Sequence, residues 1–165
     1  MRSKTATWYV CGIRYGKVME DGLEKKVKEH YVIDAMSFTE AEERIIEEMS
    51  SYISGEFEVK TCATASFREI FFVDDANADK WYKAKLTFIN FDDKTGKEKR
   101  SNVLYLVQAG SMKGALKNIE DIMGGTMIDY VVTSLQETNY IDVFEFKPKE
   151  DNNEVGESEA PSKGA

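Results

Sequence analysis

Trp8-Tyr9-Val10-Cys11-Gly12-Ile13-Arg14-Tyr15 is written again, with changed residues, as Trp81-Tyr82-Lys83-Ala84-Lys85-Leu86-Thr87-Phe88, 73 positions later. Working outward, Tyr31-Val32-Ile33-Asp34-Ala35-Met36-Ser37 lines up with Tyr105-Leu106-Val107-Gln108-Ala109-Gly110-Ser111 at an offset of 74. The same offset pairs Gly22 with Gly96, Ala41 with Ala115, Ile45 with Ile119 and Met49 with Met123. Further on the offset returns to 73, pairing Val59 with Val132, Phe67 with Tyr140 and Phe71 with Phe144. Each one-residue change falls in or beside a loop, where insertions are tolerated. An internal repeat decides the fold before any local signal does, and this one reads as a tandem duplication with repeated cores at 6–74 and 79–147.

Within each unit the local signals follow one order. Tyr9, Cys11, Ile13 and Tyr15 alternate with Trp8, Val10, Gly12 and Arg14, the period of two that marks a strand. Polar residues around Asp21-Gly22 and around Lys94-Thr95-Gly96 supply a hairpin turn. Apolar second strands follow at Tyr31–Met36 and Val103–Ala109. Ser37-Phe38-Thr39-Glu40 is a capping box, in which the hydroxyl caps a helix and the glutamate reaches back. Phe38, Ala41, Ile45 and Met49 then form an apolar stripe at helical spacing. In the second unit Ser111 caps, Met112, Ala115, Ile119 and Met123 form the stripe, and Gly124-Gly125 ends the helix. Two more strands close each unit, near 56–63 and 67–73 and near 129–135 and 140–146.

The expected fold class is therefore α+β: a tandem pair of ββαββ units related by a pseudo-two-fold, with antiparallel sheets and one helix per unit. The units are 1–75 and 76–147, together one compact domain because a unit of that size alone buries a marginal core. Residues 148–165 have no periodicity and almost no apolar content, and read as a disordered acidic tail.

Of 165 residues, 42% are apolar, enough for a core, and no apolar run is long enough to span a membrane. The segment Met1–Trp8 lacks the apolar stretch of a secretion signal, and two cysteines make no disulfide framework. A reducing cytoplasmic location, without membrane contact, is the expectation. The single histidine removes most His-based metal and nucleophile chemistry. Gly96-Lys97 lacks the spaced upstream glycine of a phosphate-binding loop. Asp75-x-Asn77-x-Asp79 opens like a calcium loop, but Lys80 stands where the turn glycine belongs and Leu86 where a bidentate glutamate is required. Residues 74–79 read as a linker. Cys11 and Cys62 read as small buried hydrophobes and His30 as a surface or edge residue. No enzyme, catalytic residue, metal or cofactor is expected.

The net charge of −8 divides unevenly: −5 over residues 1–78, zero over 79–147 and −3 over 148–165. Surface drift accounts for this, and so does an anionic partner of the second unit. Cations gather in the hairpins, at Lys25, Lys26 and Lys28 and at Lys94, Lys97, Lys99 and Arg100. Trp81, Lys83 and Lys85 share one strand face, and Trp8 and Arg14 the equivalent face. A tryptophan beside cations suits single-stranded nucleic acid, whose bases stack and whose phosphates meet the cations. The candidate interface is thus Trp8, Arg14, Trp81, Lys83, Lys85, Lys94, Lys97, Lys99 and Arg100. The repeated tryptophans equally suit packing between the units.

Thr5–Tyr9, Tyr31–Glu42, Tyr52–Lys60, Asp93–Arg100 and Gly125–Tyr130 together resemble an uncharacterised family of small, internally duplicated proteins from gut Bacteroidetes and their crAss-like phages. The resemblance covers roughly residues 1–147 and carries over no catalytic residue. It implies a bacterial or phage protein located in the cytoplasm of a bacterial host cell. Phage replication modules commonly include a small acidic-tailed single-strand-binding protein. The function expected is a non-enzymatic single-stranded DNA-binding protein of a phage or bacterial replication or recombination module. The acidic tail would compete with phosphates or contact replication or host proteins. The alternative is a protein-interaction module, such as a phage accessory protein that binds a host protein, or a self-assembling homo-oligomer.

Overall fold

The computed structural model describes residues 1–146; the acidic tail expected at 148–165 lies outside them. The elements are β1 (Arg2–Lys4), β2 (Trp8–Val18), β3 (Glu24–Asp34), α1 (Phe38–Ser50), β4 (Phe57–Ala65), β5 (Glu69–Phe72), β6 (Lys80–Phe91), β7 (Glu98–Ala109), α2 (Met112–Gly124), β8 (Asp129–Glu137) and β9 (Tyr140–Phe144). The order strand, strand, helix, strand, strand thus occurs twice after the short β1. A first sheet has the order β4-β2-β3-β9 and a second the order β1-β5-β7-β6-β8.

The fold is α+β with two mixed, mostly antiparallel sheets, which amends the purely antiparallel expectation. The last strand of each half leaves its own sheet: β5 pairs parallel with β7, and β9 pairs parallel with β3. Each half therefore lends its final strand to the other's sheet. The crossings are short, Ser66–Arg68 and Thr138–Asn139, and Thr138 closes one by donating from its N–H and its hydroxyl to the Trp81 carbonyl at 2.9 and 2.8 Å.

The local chemistry explains the elements. Each hairpin turn uses a glycine with positive φ, Gly22 at 79° and Gly96 at 64°, which a side chain would strain. The strands reach further into the charged hairpins than expected, β3 starting at Glu24 rather than Tyr31, because the ladder pairs continuously up to the turn. The Ser37 Oγ accepts from the Glu40 N–H at 3.1 Å, and the Glu40 carboxylate accepts from the Met36 N–H at 3.0 Å. The Ser111 Oγ accepts from the Gly114 N–H at 3.0 Å. Both N-cap serines have nearly the same backbone angles, −156°/166° and −155°/164°. Ala41, Ile45 and Met49, and their counterparts Ala115, Ile119 and Met123, are buried on the sheets. Phe38 and Met112, expected on those stripes, are exposed. Each is the first residue of its helix and lies at the rim of the sheet; Phe38 still meets the edge of the Tyr9 ring at 5.2 Å.

Three apolar zones hold the layers together. Tyr9, Cys11, Ile13, Tyr31 and Ile33 pack under α1, and Ala84, Leu86, Phe88, Tyr105 and Val107 pack under α2. Between the sheets, Trp8, Val32, Phe67 and Val143 meet Ile70, Phe72, Trp81 and Leu106. The order of layers is α1, first sheet, second sheet, α2.

Candidate nucleic-acid interface

The inner faces of the two sheets carry six of the nine expected site residues, Trp8, Arg14, Trp81, Lys83, Lys85 and Arg100, and burial divides those six into two classes. Trp8 is 0% and Trp81 3% exposed. Trp81 meets Phe72 edge to face at 5.5 Å, and both indoles sit in the apolar layer between the sheets. Neither ring offers a face to a base, so the stacking role expected of Trp8 and Trp81 is corrected: they are the pieces that join the sheets. Alternation places them, as expected, on the same faces as Arg14 and as Lys83 and Lys85; apposition of the sheets then covers that end of each face.

Further along the hairpins the inner faces are uncovered. On the first sheet the register sets Gly12 opposite His30, Arg14 opposite Lys28 and Gly16 opposite Lys26. Directly opposed residues of an antiparallel pair project from the same side. The neighbouring β4 adds Thr61 opposite Gly12 and Glu58 opposite Arg14. Arg14, Lys26 and Lys28 are exposed, and none has a carboxylate within ion-pair distance among the described residues. Lys60 binds the Glu58 carboxylate at 2.6 Å. That hydrogen bond, reinforced by the charges of Lys60, Arg14 and Lys26, holds the Glu58 carboxyl below its ordinary range. Cations thus gather on this stretch of the face, with Glu24, Glu56 and Glu58 beside them, in a chain of net charge −8. Arg14, Lys26 and Lys60, with Glu24, Glu56 and Glu58, line a depression here.

On the second sheet Lys83, Lys85, Thr87, Ile89 and Phe91 continue the inner face of β6. The ladder with β7 brings Arg100 opposite Ile89 and Asn102 opposite Thr87. The Thr87 hydroxyl donates to the Asn102 Oδ1 at 2.9 Å and lies 2.7 Å from the Thr133 hydroxyl. Lys83 lies over the Phe67 ring, 6.0 Å from its centroid. Arg100 is held by Glu98 at 3.1 Å. The other expected cations do not join this face. Lys99 opposes Asn90 and so projects from the α2 side, and Lys94 and Lys97 lie in the hairpin turn.

Gly12, Lys26, Lys28, His30, Thr61 and Phe91 were not among the expected site residues. The signal for Lys26 and Lys28 was there: counting back from the Gly22 turn sets Arg14 against Lys28. Phe91 continues the Lys83, Lys85 alternation and is 64% exposed, an aromatic surface on a cationic face. Thr61 is reached only through the pairing of β4 with β2, across a shift of register between Gly12 and Ile13, which periodicity does not show.

Among the described residues no cluster of His, Cys, Asp and Glu is arranged to hold a metal ion, and no helix is long and apolar enough to cross a membrane. Asp75 turns the linker instead, its Oδ1 accepting from the Asn77 N–H at 2.9 Å. No curated protein and no solved structure matches the chain. A family model matches residues 7–146, from the start of β2 to the end of the described residues, and the chain belongs to that family, described as a domain of unknown function, DUF4494.

Proposed function

We propose that the chain is a non-enzymatic single-stranded DNA-binding protein of a phage or bacterial replication or recombination module, holding the strand by its phosphates on the open inner sheet faces. The observation that carries this reading is the placement of Arg14 directly opposite Lys28, with Lys26 two pairs further out on the same face. Like charges directly opposed across strands are destabilising, and an anionic partner converts that cost into binding. Phe91 takes over the stacking role that the tryptophans do not fill. The acidic tail competes with phosphates for the cationic faces or contacts replication or host proteins.

The two halves are read as a tandem duplication of a ββαββ unit with a pseudo-two-fold relation. Matched N-caps, matched left-handed glycines and register shifts at the equivalent Gly12/Ile13 and Lys85/Leu86 positions support it. The segment resemblances support an origin in gut Bacteroidetes or their crAss-like phages and action in the bacterial cytoplasm.

A fluorescein-labelled oligothymidylate titrated with the protein tests the function by anisotropy. Binding is expected to weaken as salt rises, and removal of residues 148–165 to strengthen it. Replacing Arg14 and Lys28 together by alanine is expected to lower the slope of log K against log salt by about 1.4, two phosphate contacts' worth for a single strand. Absence of binding at low salt with the tail removed overturns the proposal, and a partner surviving nuclease in a pull-down then favours the protein-interaction reading.

A further inference from the structure

We infer that Gly12 forms the floor of a seat for one phosphate group, walled by Lys28, His30 and Thr61 with Arg14 at its rim. This deepens, and rests on, the reading of the inner faces as a nucleic-acid surface. Gly12 is buried in the middle of β2. The positive-φ glycines among the described residues are Gly22 and Gly96, so the backbone at residue 12 does not demand glycine. The second half makes the same point. Its equivalent position is Lys85, which likewise stands at the point where pairing with the neighbouring strand shifts register. That frame accepts a long side chain.

What excludes a side chain at residue 12 is the set of groups leaning over it. A β-carbon there would lie 2.5 Å from the Thr61 Oγ1, 2.8 Å from the Lys28 Cε and 3.4 Å from the His30 Nε2. A glycine inside a strand weakens it and often marks a place where a ligand approaches the backbone closely. Here the strands on both sides send polar groups into the cleared space, Thr61 from β4 and Lys28 and His30 from β3. The Asn139 amide nitrogen lies 3.4 Å from the His30 Nδ1; in that assignment Nδ1 accepts and the ring proton sits on Nε2, toward the floor. Over Gly12 thus stand a hydroxyl, an imidazole N–H and the Lys28 Cε methylene, with the Lys28 ammonium one bond further out and the Arg14 guanidinium two residues along the same face.

No carboxylate is paired with Lys28 or Arg14 among the described residues, the Glu24 carboxylate on this face lying over Gly16 further along the hairpin. Lys28 has no ion-pair partner among the described residues, Glu58 is engaged by Lys60, and Glu29 is engaged by Tyr15, Tyr31 and Lys17. Donors that converge from three directions fit a tetrahedral oxyanion, whose several oxygens each accept a bond. In the second half Lys85, Asn102, Leu104 and Ser134 stand where Gly12, Lys28, His30 and Thr61 stand in the first. The seat therefore belongs to the first half alone.

The chain's sole histidine makes the test direct, because its ring signals in an NMR spectrum need no assignment. The full chain is titrated at constant pH with inorganic phosphate, against chloride of equal ionic strength, and separately with an oligothymidylate. Both are expected to move the His30 ring signals. Thr61→Val, which keeps the shape and removes the hydroxyl, is expected to weaken both ligands by about tenfold to a hundredfold, the range of one hydrogen bond to a charged group. Gly12→Ala is expected to abolish the phosphate response, and Lys113→Ala on α2, which removes a charge elsewhere, is expected to change neither. If the oligonucleotide binds but neither ligand moves His30 and Thr61→Val binds as tightly as the parent, the seat is overturned while the nucleic-acid reading stands. If phosphate moves His30 and the oligonucleotide does not bind, the strand reading is overturned and the seat is one for free phosphate.

Discussion

Trp8 carries the one buried side-chain donor without a partner among the described residues, its indole N–H. Such a group costs on the order of 1–3 kcal/mol, so the ring is held in place by its shape between the sheets and not by its polar edge. Acrylamide is therefore expected to quench the tryptophan emission only weakly, and oligonucleotide to leave it unchanged; efficient quenching would mean that the sheets part. Trp8→Ala is expected to cost about 3–5 kcal/mol, read as a lowered denaturation midpoint. A second residue-scale feature sits on the other face, where the Tyr15 and Tyr31 hydroxyls donate to the Glu29 carboxylate at 3.0 and 2.7 Å. Burial first, and then Glu29, push Tyr15 up to about 12 and Tyr31 higher still. The unfolded chain titrates its tyrosines near ~10, so their protonated forms favour the native state. That contribution is complete below pH ~10 and is lost as the pH rises through about 12. Glu29→Gln is expected to flatten this alkaline loss, followed by urea midpoints measured across the range. Sequence reading reached the burial of Cys11 and not its neighbour. The Cys11 and Cys62 sulfurs lie 3.0 Å apart because β2 and β4 set them opposite each other, a fact that belongs to the ladder and to neither strand alone.

At the scale of the element, both helices, both hairpins and all four closing strands were legible, since each depends on signals within a few residues: an alternation, a serine cap, a glycine turn. What was not legible is where β5 and β9 go, because their partners β7 and β3 lie far off in the chain and an apolar strand is equally satisfied by either sheet. The cationic residues suffered from the same gap. Alternation along β6 correctly united Lys83 and Lys85, but Arg14 and Lys28 meet only through the hairpin register. The β9 end is fastened by side chains of the first half: Asp34 accepts from the Phe146 N–H and pairs with Lys4 at 2.8 Å, Arg44 donates to the Asp34 carbonyl at 2.7 Å and lies 3.5 Å over the Phe146 ring, and Arg2 grips Glu145 through two hydrogen bonds of 2.6 Å. Asp34→Ala removes the carboxylate at the centre of this clasp and is expected to cost about 1–3 kcal/mol. Hydrogen exchange should localise the effect, with amides of β9 losing protection before those of β2 and β3; uniform loss along the first sheet would refute the clasp.

For the molecule as a whole, the charge of −8 conceals an arrangement in which glutamates occupy the solvent side of α1 and cations the open inner faces of both hairpins. The sequence showed the segregation along the chain; only the apposition of the sheets shows which parts of each face stay open and which, like the tryptophans, are sealed. The exchange of final strands has a consequence for how the protein is made. As the chain emerges from the ribosome, β2, β3, α1 and β4 are free to form early, yet β5 has no partner until β7 is out, and the first sheet keeps an unpaired edge until β9 follows at Tyr140–Phe144. Until β7 is out, Trp8 and Val32 have no opposing layer. A nascent chain stalled before Tyr140 is thus a sticky one, a natural client for a chaperone and open to capture by the β9 of a neighbouring copy. Assembly of this small protein is set less by how fast its helices form than by when its last strand arrives.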